Sequence, residues 1–249
     1  MTKAGLPHKR KAVERYIDEL IAEYVPEEHQ EGFVFHATEI FSGSKIFDPK
    51  TYPLERRLEL LKKLVVIPAK FRLPTVYGYQ DKAILPLLHH AHPKHPGRVL
   101  AGHQALTYSY AAVAAERFMQ ESASPEELAT LTVENNDHTR EVIRRAHDIL
   151  RGGDEEMLSR FALIGREYLP LRKIIDCINF AAKDQAIMLQ LADTLAFIYR
   201  RYLEKKPHME EFCDLMTGNN PKILEPEGGR NGPIDGNKIL YFLPQAQSP

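Results

Sequence analysis

The chain has 249 residues, of which 43% are hydrophobic and 27% charged, and its formal net charge is −1 at pH 7. These values are typical of globular proteins and exclude general disorder and a uniformly cationic surface, although a local basic groove is compatible with them. Two cysteines, Cys177 and Cys213, are too few for a disulfide framework or a four-cysteine zinc cage, so we interpret them as reduced, mostly buried thiols. The sequence shows no signal peptide and no apolar run of membrane-spanning length, which predicts a cytoplasmic protein without membrane contact.

Hydrophobic periodicity in the first third of the chain predicts helices and short strands. Apolar residues at 3–4 spacing predict a helix over 8–25, and Phe33–Phe35 is predicted as a strand. Pro53 suits the first turn of a second helix, which we expect to end at Pro68. The β-branched and aromatic run 75–79 predicts a further strand.

A histidine-rich tract follows, with five histidines between His89 and His103. Such a tract could bind a metal ion, but Pro93 and Pro96 interrupt any regular helical face, which favours a solvated loop. A long helix is predicted after it, over about 99–121.

Strands and helices alternate in the rest of the chain. Strands are predicted over 128–133 and 174–180, and helices over 138–151 and 186–204, with Asp137 as the N-cap of the first of these helices. This alternation predicts an α/β fold.

Composition divides the chain into a domain and a tail. We predict one domain over residues 1–217 and an extended Gly- and Pro-rich tail over 218–249, attached by one apolar run at 239–243.

Three carboxylates lie at unusual places in this pattern. Asp193 has Leu189 and Phe197 among its helical neighbours, so it needs a cationic partner, a place at the edge of the buried face, or a functional role. Glu134 ends a predicted strand, where α/β sheets bind ligands, although a capping or solvated acid is the alternative. Asp176 interrupts a predicted strand, and alternation can place it on the polar face.

A histidine and a fourth carboxylate, His36 and Glu39, directly follow the first predicted strand. If a helix begins there, the two share one face and could be metal ligands, acid–base partners or a structural pair. Converging carboxylates suit Mg²⁺ or Mn²⁺, and two-metal phosphodiester hydrolysis depends most on such a cluster. Basic residues beyond Asp193 either hold a phosphate backbone or form an ordinary cationic helix end; they are Arg200, Arg201, Lys205 and Lys206.

Two motifs in order, HATEIFSG (His36–Gly43) and LQLADTLAFIYRR (Leu189–Arg201), with TVENND (Thr132–Asp137) between them, resemble the bacterial and phage "domain of unknown function 3800" family. The stretch IIDCINFAAKDQAIMLQLAD is similar to the penultimate strand, loop and acidic helix of that family, and the likeness spans about residues 8–205. The resemblance implies a ribonuclease H-like fold, which is a mixed sheet flanked by helices, helix-rich overall. It also implies a metal-dependent nuclease.

The resemblance assigns roles to individual residues. It implies active-site positions for four of them, namely His36, Glu39, Glu134 and Asp193, with Asp176 as a further companion. The four carboxylates would bind Mg²⁺ or Mn²⁺, and His36 would act as an acid–base group or phosphate ligand. Nucleic acid is the implied partner, with DNA and RNA both open.

The chain also departs from the family pattern. The family opens with a strand reading approximately Tyr-x-Asp-Glu-Ser-Gly, for which this chain has no counterpart, because Tyr16–Glu19 continues in helical register. A Ser that is frequent before the acidic helix is absent from Ala181–Asp184. We therefore expect the N-terminal strands of the fold to be missing. Three hypotheses stay open. The first is a divalent-metal nuclease or phosphodiesterase, for which the activity of this truncated chain is left open. The second is a non-catalytic nucleic-acid- or protein-binding module that retains the fold, and the third is a structural fragment without activity of its own.

Overall fold

The computed structural model describes residues 6–79, 96–153, 166–217, 221–224 and 238–242, and it divides them between two compact units. Unit 1 takes its residues from Met1–Pro74 and Ala182–Pro221, and unit 2 from Thr75–Ala181 and Lys222–Phe242. In chain order the elements are α1 (Leu6–Tyr24), α2 (Ala37–Ser42), α3 (Leu54–Val65), α4 (Ile67–Phe71), β1 (Thr75–Tyr79), α5 (Pro96–Ser122), β2 (Thr132–Glu134), α6 (Arg140–Gly152), β3 (Asn179–Ala181), α7 (Ile187–Leu203), α8 (Met209–Thr217), β4 (Pro221–Leu224) and β5 (Lys238–Phe242).

Unit 1 is built from helices around α3, which contacts α1, α2, α4, α7 and α8. The apolar stripe of α3 explains this central place, because Leu60, Leu61 and Leu64 are fully or almost fully buried. The helices predicted over 8–25, from Pro53 and over 186–204 are confirmed as α1, α3 and α7. Pro68 does not end α3; it lies in the first turn of α4, where its missing N–H has no helical partner to lose.

The strand predicted at Phe33–Phe35 is wrong. The segment is extended but joins no sheet in the described structure. Its rings pack edge-to-face instead, with centroids 5.2 Å apart for Phe33 and Phe35 and 6.3 Å apart for Phe33 and Phe47. The Phe35 N–H donates to the side chain of Gln190 rather than to a neighbouring strand. A helix, α2, then begins directly after His36.

The described residues of unit 2 form two small sheets and two α-helices. Strand β1 pairs antiparallel with β5, with Thr75 opposite Phe242, and β4 lies on the other side of β5. Strands β2 and β3 are parallel, with Thr132 opposite Asn179 and Glu134 opposite Ala181. Helix α5 packs on β1, β5 and α6. Their buried core cluster comprises Ala112, Val113, Ala114, Leu150, Leu171 and Ile174.

The predicted strands of unit 2 exist but are shorter than expected. The run 128–133 becomes β2 plus an isolated bridge between Ala129 and Ile174, and the run 174–180 becomes β3. Between that bridge and β3, Asp176 has φ +63°, which no regular strand can accommodate. The carbonyl of Asp176 accepts hydrogen bonds from two side chains, so this break is held in place.

Asp137 was expected to cap α6, and that expectation is wrong. The helix begins at Arg140 with Thr139 as its N-cap, which makes no side-chain cap bond. Asn136 organises the turn instead: its Oδ1 accepts from the His138 N–H at 3.0 Å, and its carbonyl accepts from the Thr139 and Arg140 N–H groups. A side chain that bonds two residues ahead is typical of Asn in such turns.

The structure answers several other expectations. The run 75–79 is confirmed as strand β1, and the run 239–243 provides most of β5. His89–His95 lie outside the described residues, whereas His103 lies in α5. Cys213 is buried and Cys177 is exposed.

The protein is helix-rich with a small parallel sheet, which is broadly compatible with the predicted α/β class. Among the described residues, no helix combines the length and apolarity that membrane crossing requires.

Candidate functional site

Helices α2 and α7 of unit 1 carry three of the predicted site residues and contact each other. A buried side chain, Gln190, connects them. Its Oε1 accepts the Phe35 N–H at 3.2 Å, and its Nε2 donates to the Lys183 carbonyl at 3.1 Å. Because one amide satisfies both a donor and an acceptor, Gln190 ties the start of α2 and the approach to α7 to the same point.

The start of α2 places His36 and Glu39 close together. His36 is the N-cap residue, with extended backbone (φ −117°) and no side-chain cap bond, and Glu39 lies in the first helical turn. The structure therefore selects the alternative in which a helix begins at this point. Glu39 is 21% exposed and forms an ion pair with Lys45, whose Nζ is 2.5 Å from Oε1.

Asp193 on α7 has a cationic partner, which is one of the alternatives that its apolar neighbours predict. Lys183 Nζ lies 3.3 Å from Asp193 Oδ1, and the two side chains are 16% and 38% exposed. Asp193 is therefore not deeply buried but reaches solvent from the rim of the apolar face. An ion pair that is so open to water contributes about 1 kcal/mol or less to stability.

A buried arginine fixes the other end of α2. Arg57 is only 7% exposed, and its Nη1 donates to the carbonyls of Ile40 and Phe41 at 3.1 and 2.6 Å. Gly43 ends the helix with φ +70°, and a Cβ there would lie 2.8 Å from the same Nη1. A glycine is therefore required, both by the left-handed backbone and by the arginine behind it.

Two further predicted site residues belong to unit 2. Glu134 is the last residue of β2, as predicted, and is exposed; the following N–H, of Asn135, donates to the Ala181 carbonyl at 2.8 Å. Asp176 is also exposed. Its carbonyl oxygen, rather than its carboxylate, accepts from His147 Nε2 and Arg151 Nη1, both at 2.9 Å.

The carboxylates have the right donor chemistry for Mg²⁺ or Mn²⁺, but their arrangement does not fit a bound ion. In the part of the chain that the structure describes, no three His, Cys, Asp or Glu side chains are grouped so that they could hold a metal. Glu39 and Asp193 each face a lysine ammonium instead. A metal ligand set needs several convergent oxygens, and a neighbouring ammonium competes with the ion for them.

Sequence reasoning missed the most deeply buried carboxylate, Glu116 on α5, which is 0% exposed. Its two oxygens accept the backbone N–H groups of Arg172, Lys173 and Ile174 at 2.9–3.1 Å, and Oε1 also accepts from Gln120 Nε2. The signal was available, because the helical neighbours Ala112, Val113 and Met119 are apolar, as are most of those of Asp193. This group organises the backbone; it is not placed to meet a ligand.

A second buried polar group that the sequence did not reveal is His147 on α6, 2% exposed. Its Nε2 donates to the Asp176 carbonyl, so in the neutral ring Nδ1 must accept from the Tyr108 hydroxyl, at 2.8 Å. Burial, helped by the charge of Asp148, raises the pKa of Tyr108 far above its usual value. Tyr108 therefore stays a neutral donor, and the network holds the Asp176 loop.

Comparison with known proteins adds no relative. No protein-family model, curated protein or solved structure matches this chain.

Proposed function

We propose that the protein is a phosphodiesterase of the ribonuclease H-like nuclease type that acts on nucleic acid, with its reactive side chains on α2 and α7 of unit 1. One observation carries this proposal. The segments that bear the family resemblance, His36–Gly43 and Leu189–Arg201, lie far apart in the sequence but belong to helices that pack on each other, joined by the Phe35–Gln190 bond. The packing of α2 on α7 brings His36, Glu39 and Asp193 into one unit.

The side chains of this unit suit a phosphodiester. His36 is assigned as acid–base group or phosphate ligand, because an imidazole exchanges protons near neutral pH. Asp193 and Glu39 are assigned to orienting water. Lys183 and Lys45, which face these carboxylates, are donors of the kind that bind phosphate oxygens.

Metal dependence stays a prediction from the resemblance. Glu39, Glu134, Asp176 and Asp193 are the ligands that the resemblance implies for Mg²⁺ or Mn²⁺. The described residues do not group three such side chains around one point, so the roles assigned to His36, Glu39 and Asp193 do not depend on a bound ion. Glu134 and Asp176 lie in unit 2, and their roles rest on the resemblance alone.

The ion pairs favour a second candidate function, a non-catalytic nucleic-acid-binding module that retains the fold. Two of the predicted site carboxylates, Glu39 and Asp193, lie in unit 1, and each forms an ion pair with a lysine. Each ammonium competes with a metal ion for the carboxylate oxygens, and the lysines are donors of the kind that bind a phosphate. Under this hypothesis the protein binds nucleic acid and leaves it intact.

Substitution of Asp193 by Asn tests the proposal. Labelled DNA and RNA strands are incubated with the wild-type chain in Mn²⁺, in Mg²⁺ and in EDTA, and cleavage is measured on denaturing gels. We expect the wild type to cleave at least one of the two strands, and we expect Asp193→Asn to reduce the rate of cleavage by about 100-fold or more. Loss of cleavage in EDTA would support the metal dependence that the resemblance implies. The melting temperature in EDTA should change by only a few degrees, because the Asp193 ion pair is open to solvent.

Glu211→Gln is the matched control. Glu211 lies on α8 of the same unit and forms a comparable exposed pair with Lys62 at 2.5 Å, so its substitution should leave cleavage unchanged. Normal cleavage by Asp193→Asn would refute the assignment of this residue. Tight binding without any cleavage by the wild type would establish the second candidate instead.

A further inference from the structure

Unit 1 carries a group of cations outside the candidate site. We call it the α1–α4 basic patch and define it as Lys9, Lys70 and Arg72. The Lys9 Nζ donates to the Arg72 carbonyl at 2.9 Å, which joins the first turns of α1 to the end of α4. Lys70 Nζ lies 3.7 Å from the centroid of the Tyr16 ring, and that ring packs edge-to-face on Phe71 at 5.8 Å. Two of the three cations are thus held in place by contacts that leave their remaining N–H donors available.

Within the described residues, Lys9, Lys70 and Arg72 have no carboxylate within ion-pair distance. Nearby arginines on α1 behave differently, since Arg10 pairs with Glu14 and Arg15 lies 4.0 Å from Glu19. A group of cations on one surface attracts polyanions, so the patch is complementary to a polyanion.

Backbone geometry makes Arg72 a suitable position for a test of the patch. This residue ends α4 in the left-handed conformation, with φ 51° and ψ 50°. Glycine is the usual residue at such a position, and a longer side chain is strained there. Arg72→Gly therefore removes the guanidinium without disturbing the backbone conformation that the end of α4 requires.

We propose that the α1–α4 basic patch binds the phosphodiester backbone of nucleic acid, independently of its base sequence. This inference rests on the proposed function, which makes nucleic acid the polyanion. Lys9 and Lys70 are already positioned, so binding a phosphate costs them little rotamer freedom. Contacts of this kind fix the position of the strand and carry no base specificity.

The test measures binding of the full chain to a fluorescein-labelled single-stranded oligonucleotide, by anisotropy, in EDTA and over a series of salt concentrations. The triple variant Lys9→Ala, Lys70→Ala, Arg72→Gly should bind more weakly than the wild type at every salt concentration. Its slope of log K against log salt should be smaller by about 2, because each lost phosphate contact removes about 0.7 on single strands. Lys62→Ala is the control, since it removes a cation of the same unit that is paired with Glu211, and it should bind within about 2-fold of wild type.

The single variant Arg72→Gly separates binding from folding. We expect weaker binding together with a melting temperature that is unchanged or higher, because glycine relieves the left-handed strain. An Arg72→Gly variant that melts much earlier but binds normally would overturn the inference, as would a triple variant with the wild-type slope. Failure of the wild type to bind the oligonucleotide would also overturn it. So would a triple variant that binds the oligonucleotide normally but no longer binds vesicles containing phosphatidylserine.

The two proposals fail in distinguishable ways. The salt slope is measured in EDTA, where metal-dependent cleavage plays no part, so it reports on the patch alone. The cleavage rate of the Asp193→Asn variant reports on the site of α2 and α7. This substitution does not change Lys9, Lys70 or Arg72, so the salt slope of binding should stay at the wild-type value.

Discussion

Replacing Glu116 by glutamine tests the buried carboxylate that organises unit 2. The side chain is 0% exposed and accepts hydrogen bonds from three consecutive backbone N–H groups, at Arg172, Lys173 and Ile174. Glutamine has nearly the same shape but offers one acceptor oxygen and one NH₂ donor. The substitution therefore changes hydrogen bonding and charge without opening a cavity.

The magnitude follows from the contacts. If the glutamine oxygen takes the place of Oε1, the glutamine NH₂ group faces the Ile174 N–H, which then has no acceptor. If the oxygen takes the place of Oε2, the NH₂ group faces the Arg172 N–H, and that group has no acceptor. One unsatisfied buried donor costs about 1–3 kcal/mol, and the remaining bonds lose the strengthening that a charged acceptor provides. Part of this loss is offset, because an amide is cheaper to bury than a carboxylate. We expect a loss of about 2–4 kcal/mol in the free energy of unfolding.

Thermal and urea unfolding measure this loss. For a chain of this length, a change of about 2–4 kcal/mol corresponds to a melting temperature lower by roughly 5–15 °C. Glu121→Gln is the matched control, five residues later on α5. That side chain is 34% exposed, pairs with Arg117 at 2.9 Å and accepts from the Tyr168 hydroxyl at 2.7 Å. Glutamine can still accept from that hydroxyl, so loss of the exposed ion pair should cost about 1 kcal/mol or less. A Glu116→Gln variant as stable as the control would refute the reasoning that the carboxylate holds the 172–174 backbone.

Two further predictions concern a helix end and a tyrosine. Gly43→Ala should lower the free energy of unfolding by about 2–4 kcal/mol, because φ is +70° and the new Cβ would lie 2.8 Å from Arg57 Nη1. Urea unfolding measures this change, and an unchanged urea midpoint would contradict the prediction. Burial, followed by the hydrogen bond to Glu121, raises the pKa of Tyr168 to about 12. Glu121→Gln should therefore lower the pKa of the Tyr168 hydroxyl towards the ordinary value near 10. The ultraviolet absorbance of the phenolate measures this titration, and Tyr168→Phe supplies the background from the other tyrosines. Because the pKa is higher in the folded state, the linked stabilisation is present below pH 10 and is lost as the pH rises towards 12.

Local patterns in the sequence predict the long helices and one strand correctly. The apolar stripes of α1, α3 and α7 recur at helical spacing, and their central residues, such as Val13, Leu61 and Leu195, are buried. Stripe residues at the helix ends, Leu54, Met188 and Tyr202, are exposed. Strand β1 is likewise where its β-branched and aromatic residues predict it. In these segments the periodic pattern of neighbouring residues specifies the helix or the strand, so the prediction does not depend on residues far away in the sequence.

The errors arise where a distant side chain replaces a local partner. Phe33–Phe35 reads as a strand, but Gln190 takes the N–H that a neighbouring strand would have bonded. The run 174–180 reads as one strand, but the left-handed Asp176 interrupts it, and its carbonyl is held by His147 and Arg151. Neither partner can be found from the local pattern.

The candidate site shows the same division. The sequence alone singles out Asp193 as a carboxylate on an apolar helix and requires a cation near it, because an isolated charge there is costly. Only the tertiary structure decides that Lys183 is this cation and that Glu39 meets Lys45. The same electrostatic argument applies to Glu116, whose partners are backbone N–H groups that no composition reveals. Periodicity determines which residues are buried, whereas the chain path determines which polar groups meet, because hydrogen bonds and ion pairs act over a few ångströms between residues far apart in sequence.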